Sequence, residues 1–125
     1  MKVEISIGEL VDKVSILSIK QKKIKNIEKL QNIEKEYNLL LKSMKEAGIG
    51  VGSDEFKRLE TINLKLWDIE DQIRLKEVNK SFDDEFVKLA RKVYFTNDDR
   101  AAVKKEINLK FGSDLVEEKE YVEYK

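Results

Sequence analysis

The sequence predicts an all-α fold, a bundle of four to five helices with a long N-terminal helical hairpin and an extended C-terminal tail. Three observations carry this. Apolar residues recur at three- and four-residue spacing through most of the 125 residues, no proline interrupts them, and capping residues stand just ahead of the apolar runs. A chain of this length can bury a core as one domain, residues 1–125, without disulfides or metals.

Residues 1–5 read as a short extended lead-in. Ser6-Ile7-Gly8-Glu9 is a capping box, with Ser6 as N-cap and Glu9 reaching back, so the first helix starts there. Its apolar positions are Ile7, Leu10, Val11, Val14, Leu17 and Ile24, and lysines gather toward its C-terminal end, where the helix dipole favours cations. A break is expected near Asn26. The second helix carries Ile27, Leu30, Ile33, Tyr37, Leu40, Leu41 and Met44 close to a heptad seam and ends at Gly48 to Gly52. No strand precedes those glycines and no Gly-Lys-Ser/Thr follows, so the run reads as a C-cap and connector rather than a phosphate loop. Ser53 caps a third helix, about 54–77, through Phe56, Leu59, Ile62, Leu66, Ile69 and Ile73. It holds the only tryptophan and two useful faces, which points to a central position. Ser81, with Asp83, Asp84 and Glu85 behind it, starts a fourth helix that buries Phe82, Phe86, Leu89, Ala90, Val93 and Tyr94. Thr96 or Asn97 then caps a fifth, about 98–111, stopped by Gly112. The acidic tail, with Tyr121 and Tyr124, is expected to dock as an extended segment alongside residues 2–5.

Composition excludes several chemistries. With neither Cys nor His, there is no thiolate or imidazole metal site, no disulfide and no Ser-His-Asp or Cys-His constellation. Catalysis would rest on carboxylates, Lys, Arg, Tyr or a hard cation such as Mg²⁺. Charged residues are 40% of the chain yet sum to a net charge of zero, so no global field attracts nucleic acid or an anionic membrane. Glu4, Glu9 and Asp12 interrupt the first apolar stretch, which fits neither a signal peptide nor a transmembrane helix and leaves a cytoplasmic protein as the expectation.

The candidate site is built from two polar stripes. On the third helix Asn63, Trp67, Glu70, Asp71 and Arg74 fall near one line, and after residue 96 Asn97, Arg100, Lys104 and Asn108 recur at helical spacing. If the lines face each other, Trp67 floors a pocket with acids on one wall and cations on the other. Arg74, Arg100 and Lys104 then suit a phosphate or carboxylate. The bland alternative is an inter-helix salt-bridge network beside a half-buried Trp. No cofactor is expected; were a metal held, it would be Mg²⁺ on Glu9, Asp12, Glu70 and Asp71, although Glu9 is already explained by the capping box and Asp71 by pairing with Arg74. The regular Glu-x-x-Glu and Glu-x-x-Asp pattern of all-α nucleotide pyrophosphohydrolases is present only in fragments. Residues 7–24 also lack the Arg that the first helix of an all-helical chorismate mutase supplies.

Three blocks carry a family likeness: residues 6–13 (SIGELVDK), 66–71 (LWDIED), and 97–108 (NDDRAAVKKEIN) with Gly112-Ser113 and residues 115–119 (LVEEK). Together they resemble a family of short uncharacterised all-helical bacterial and phage proteins, a domain of unknown function. The Leu-Trp-x-x-Glu-Asp and Lys-x-x-Ile-Asn elements are similar to a second uncharacterised helical family linked to gene neighbourhoods for surface polysaccharide. The resemblance implies an all-helical fold and a link to glycan or sugar-nucleotide metabolism. Its motif positions fall on Gly8, Glu9, Asp12, Lys13, Trp67, Glu70, Asp71, Asn97, Arg100, Lys104, Asn108, Gly112, Ser113, Glu117 and Glu118.

The leading expectation is a binding or accessory module whose polar cleft takes an anionic ligand or a protein partner. Two others stand beside it. One is a small enzyme acting on a phosphorylated or sugar-linked molecule through Glu70 or Asp71 with Arg74, Arg100 and Lys104; the other is a structural homodimer without ligand, joined through the first or second helix.

Overall fold

In the computed structural model, which describes residues 1–123, the chain forms four helices: α1 (Ile7–Lys23), α2 (Ile27–Glu46), α3 (Asp54–Val78) and α4 (Asp84–Lys110). The tail residue Tyr124 lies outside the described residues.

Local chemistry sets most helix ends. Ser6 Oγ accepts from Glu9 N–H at 3.1 Å, Asn26 Oδ1 from Lys29 N–H at 3.0 Å and Ser53 Oγ from Phe56 N–H at 3.2 Å. Only half of the expected capping box forms, because the Glu9 side chain turns away to Lys104. At the fourth helix the cap is Asp83, not Ser81, with Oδ1 accepting from Phe86 N–H at 2.9 Å. The C-termini of α2 and α4 close in the same way: Ile49 N–H donates to Met44 O and Ser113 N–H to Asn108 O, across Gly48 and Gly112 at φ 87° and 67°. The second of these turns delivers Ser113 to the start of α1.

The two helices expected over 82–94 and 98–111 are one continuous α4 of 27 residues. Thr96 and Asn97 have good capping side chains, but with no Gly or Pro from 82 to 110 nothing forces the backbone out of helix. Thr96 instead lies 3% exposed inside the helix interface. Tertiary burial overrode a local signal.

α3 and α4 form an antiparallel hairpin whose register is marked by Glu55 with Lys110, Arg58 with Glu106 at 2.7 Å, and Lys76 with Asp83 at 3.1 Å. α1 crosses this hairpin. Its first turns meet α4, through Gly8 with Asn108 and Glu9 with Lys104, and its later turns meet α3, through Ser15 with Asn63 and Ser18 with Glu60. α2 packs against α1 alone among the helices, whereas α1 packs against all three others. The central helix is therefore α1, not α3. A helix that crosses two others needs small residues at the crossing, and Gly8, Asp12 and Ser15 provide them, all buried. The core gathers beside that crossing from Val11, Val14, Met44, Ile49, Phe56, Leu59, Val103 and Ile107. Among the described residues no helix is long and apolar enough to cross a membrane.

Candidate functional site

A carboxylate 1% exposed, as Asp12 is, must find partners or lose its charge. Asp12 finds them on three sides. Asn63 Nδ2 donates to its Oδ1 at 2.8 Å, Arg100 Nη2 stands 3.4 Å from its Oδ2, and Lys104 Nζ lies 3.9 Å from the same oxygen. Asn63 Nδ2 also donates to Ser15 Oγ at 2.8 Å, and Ser15 Oγ donates in turn to the Asp12 carbonyl at 2.7 Å. Lys104 Nζ then donates outward to Glu9 Oε2 at 2.6 Å and to Glu117 Oε2 of the tail at 3.0 Å. The network joins α1, α3, α4 and the tail, and no buried side-chain nitrogen or oxygen among the described residues lacks a hydrogen-bond partner.

The network shifts the titration of two members, Lys104 and Glu117. Burial alone would lower the Lys104 ammonium, but the hydrogen bonds to Glu9 and Glu117 and the charge of Asp12 override it and hold its pKa above the usual lysine value. The hydrogen bond from Lys104 holds the Glu117 carboxyl below the usual glutamate value.

The start of α1 is closed by the end of α4. Gly8 N–H donates to Asn108 Oδ1 at 2.6 Å, Ile7 N–H to Ser113 Oγ at 3.0 Å, and Ser113 Oγ to Leu115 O at 2.6 Å. With Glu9 N–H on Ser6, the first three amides of α1 are taken, so this helix N-terminus has no donors to offer an anion. Gly8 allows the approach, because a Cβ there would stand 2.5 Å from the Lys104 carbonyl oxygen.

Arg100 is the member with capacity to spare. Its side chain is 30% exposed and, among the described residues, makes one ion pair and no hydrogen bond. It opens on a cleft of about 600 Å³ between α4 and the tail, lined by Tyr94, Asn97, Asp98, Arg100, Lys119, Tyr121 and Val122. Lys119 Nζ lies 6.0 Å above the Tyr121 ring and 3.6 Å from Glu117 Oε1. A second, smaller hollow of about 190 Å³ adjoins it along Lys104, Lys105 and Asn108. The cleft offers a guanidinium, an ammonium, one amide and two aromatic rings, with one carboxylate, Asp98, in the lining. That set suits an anion carrying a ring or sugar face.

The structure brings together Asn63, Arg100, Lys104 and Asn108, and Asn97 joins Arg100 at the cleft. It does not bring Trp67, Glu70, Asp71 and Arg74 to them. Trp67 is half-buried, the other three are exposed, and among the described residues Arg74 pairs only with Asp71, at 3.9 Å. The expected floor and acidic wall from α3 are replaced by acids from α1 and the tail. Of the carboxylates considered for Mg²⁺, Glu9 and Asp12 surround the Lys104 ammonium while Glu70 and Asp71 lie apart, and no group of three or more acids among the described residues is placed to hold a metal. Residues 114–123 form no helix or strand, and no backbone hydrogen bond among the described residues ties them to residues 2–5. Ser15 is the member sequence reasoning missed. A serine three residues after an aspartate on the apolar face of a helix was the available signal.

The model of a family of unknown function, DUF6165, matches residues 1–124. No curated protein and no solved structure is significantly similar to the chain.

Proposed function

We propose, for a chain that belongs to DUF6165, a family of unknown function, that it is a binding module holding an anionic ligand in the cleft between α4 and the C-terminal tail. The observation that supports this is the state of Arg100, whose guanidinium faces a cleft with most of its donors unused among the described residues, while Lys104, the other cation of the network, is bonded to two carboxylates. Tyr94 and Tyr121 add ring faces, and Lys119 a second cation. The ligand class is a phosphorylated sugar or sugar nucleotide, which also agrees with the glycan link implied by the family likeness. The enzyme reading has less behind it. Glu70 and Asp71 are not at the cleft, and Asp12 is too deeply buried to meet a substrate.

Calorimetric titration with pyrophosphate, a hexose phosphate and sugar nucleotides tests the reading. Saturable binding is expected, lost in Arg100→Ala and reduced in Lys119→Ala and Tyr121→Ala, with Arg74→Ala as an unaffected control. Because Asp12 keeps Asn63 and Lys104, Arg100→Ala should cost only about 1 kcal/mol of fold stability. Retained binding in Arg100→Ala, or no binding by any of these compounds, refutes the assignment.

A further inference from the structure

The net charge of zero conceals a segregation of charge. Around the turn from α1 to α2, Lys20, Lys22, Lys23, Lys25 and Lys29 fall within ten residues that hold a single acid, Glu28, a local balance of +4. Residues 114–123 carry Asp114, Glu117, Glu118, Glu120 and Glu123 against Lys119, a local balance of −4. α1 separates the two poles. Its first residue is bonded to Ser113 and its last is Lys23, so the 17-residue helix holds them about 25 Å apart.

We propose that the basic pole is a docking surface for anionic phospholipid headgroups. Its lysines are available: among the described residues only Lys22 has an ion-pair partner, Glu60 at 3.9 Å, while Lys20, Lys23, Lys25 and Lys29 have none. In their midst Ile27 opens α2 at 72% exposure, and Ile24 beside it is half-buried. An exposed apolar side chain flanked in the sequence by lysines matches the bilayer boundary, where the methylenes of Ile27 enter the acyl region and the ammoniums reach phosphates. Charge complementarity selects an anionic surface, and the composition selects lipid over nucleic acid. Residues 20–29 contain neither the arginine that grips phosphate in a bidentate fork nor an aromatic ring on which a base stacks. The acidic tail of a second copy is the weaker occupant, since Glu117 is already held by Lys104. Docked by this pole, the molecule turns its acidic pole and the Arg100 cleft toward solvent.

Cosedimentation of the full chain with phosphatidylcholine vesicles, with and without about a third of phosphatidylglycerol, tests the proposal. Binding to the anionic vesicles alone is expected, weakening as salt is raised. Lys23→Gln/Lys25→Gln should lose about thirtyfold in affinity, at the free energy of one lysine–headgroup contact for each residue removed. Ile27→Ser should lose several-fold at every salt concentration, which a purely electrostatic contact would not show. These side chains are exposed, so circular dichroism should report an unchanged fold. No binding to anionic vesicles, equal binding to neutral ones, or affinity unchanged in the double variant overturns the proposal. So does tail-dependent self-association that competes vesicle binding away.

Discussion

Replacing Gly8 by alanine sets helix propensity against close packing. Alanine is preferred over glycine in a helix by up to about 1 kcal/mol, and Gly8 is the second residue of α1, where part of that preference applies. Against it stands geometry. The new Cβ would lie 2.5 Å from the Lys104 carbonyl oxygen and 3.0 Å from Asn108 Oδ1, where ordinary contact begins near 3.4 Å. The first of these is backbone inside a long helix and cannot swing aside, so α1 must withdraw. Overpacking of this kind costs about 1–3 kcal/mol, and stretching the buried 2.6 Å bond from Gly8 to Asn108 costs about 1 kcal/mol more. The balance is a net loss of about 2 kcal/mol, or about 8 °C in Tm for a chain of this size. Urea unfolding followed by far-ultraviolet circular dichroism measures it, with Gly52→Ala as the control, since nothing lies within 4 Å of a Cβ there. A Gly8→Ala protein as stable as the wild type would refute the close-approach argument.

Lys104→Met takes the shared counter-ion from three converging carboxylates, Glu9, Asp12 and Glu117, and leaves Asp12, 1% exposed, with Arg100 and Asn63 alone. A loss of about 3 kcal/mol is expected in the same unfolding assay, and less than 1 kcal/mol would show that Arg100 and Asn63 suffice for Asp12. Glu117 links the tail to pH. Its pKa is lowered in the folded state, so its stabilising contribution is complete above the ordinary glutamate value of 4.5 and is lost as pH falls through the lowered value. Amide chemical shifts of residues 114–119 should therefore hold steady from neutral pH to about 4.5 and move together below it. Shifts that already move at higher pH would remove the tail from the control of Glu117.

The parts of the fold that the sequence made legible are those written locally. Ser6, Asn26 and Ser53 cap because their oxygens sit beside unsatisfied amides, and Gly48 and Gly112 end helices because the next turn needs positive φ. Asn63 on one polar stripe and Arg100, Lys104 and Asn108 on another were legible through helical periodicity, but that the two stripes meet was not. What was not legible depends on which helix crosses which. Thr96 reads as a cap until another helix covers it, and Trp67, Glu70, Asp71 and Arg74 read as a site wall until α1 is found crossing the hairpin at Asn63. Gly8 and Ser15 carried the clue to that crossing, since small residues on an apolar helix face mark a close approach. Periodicity weighs apolar side chains and is blind to their absence.

The bonds from Ile7 to Ser113 and from Gly8 to Asn108 span 106 and 100 residues of chain. During synthesis α1 leaves the ribosome before the other three helices, yet two amides of its opening turn must wait for partners that are translated about 5–20 s later at ordinary elongation rates. Until then only Ser6 secures that turn, and the buried faces of α1 for α3 and α4 stay uncovered. The hairpin partner α2 is the first neighbour available to shelter it. α1 is thus a helix that can nucleate early but can be completed only when Ser113 has been made, which ties the closing step of folding to the arrival of the tail.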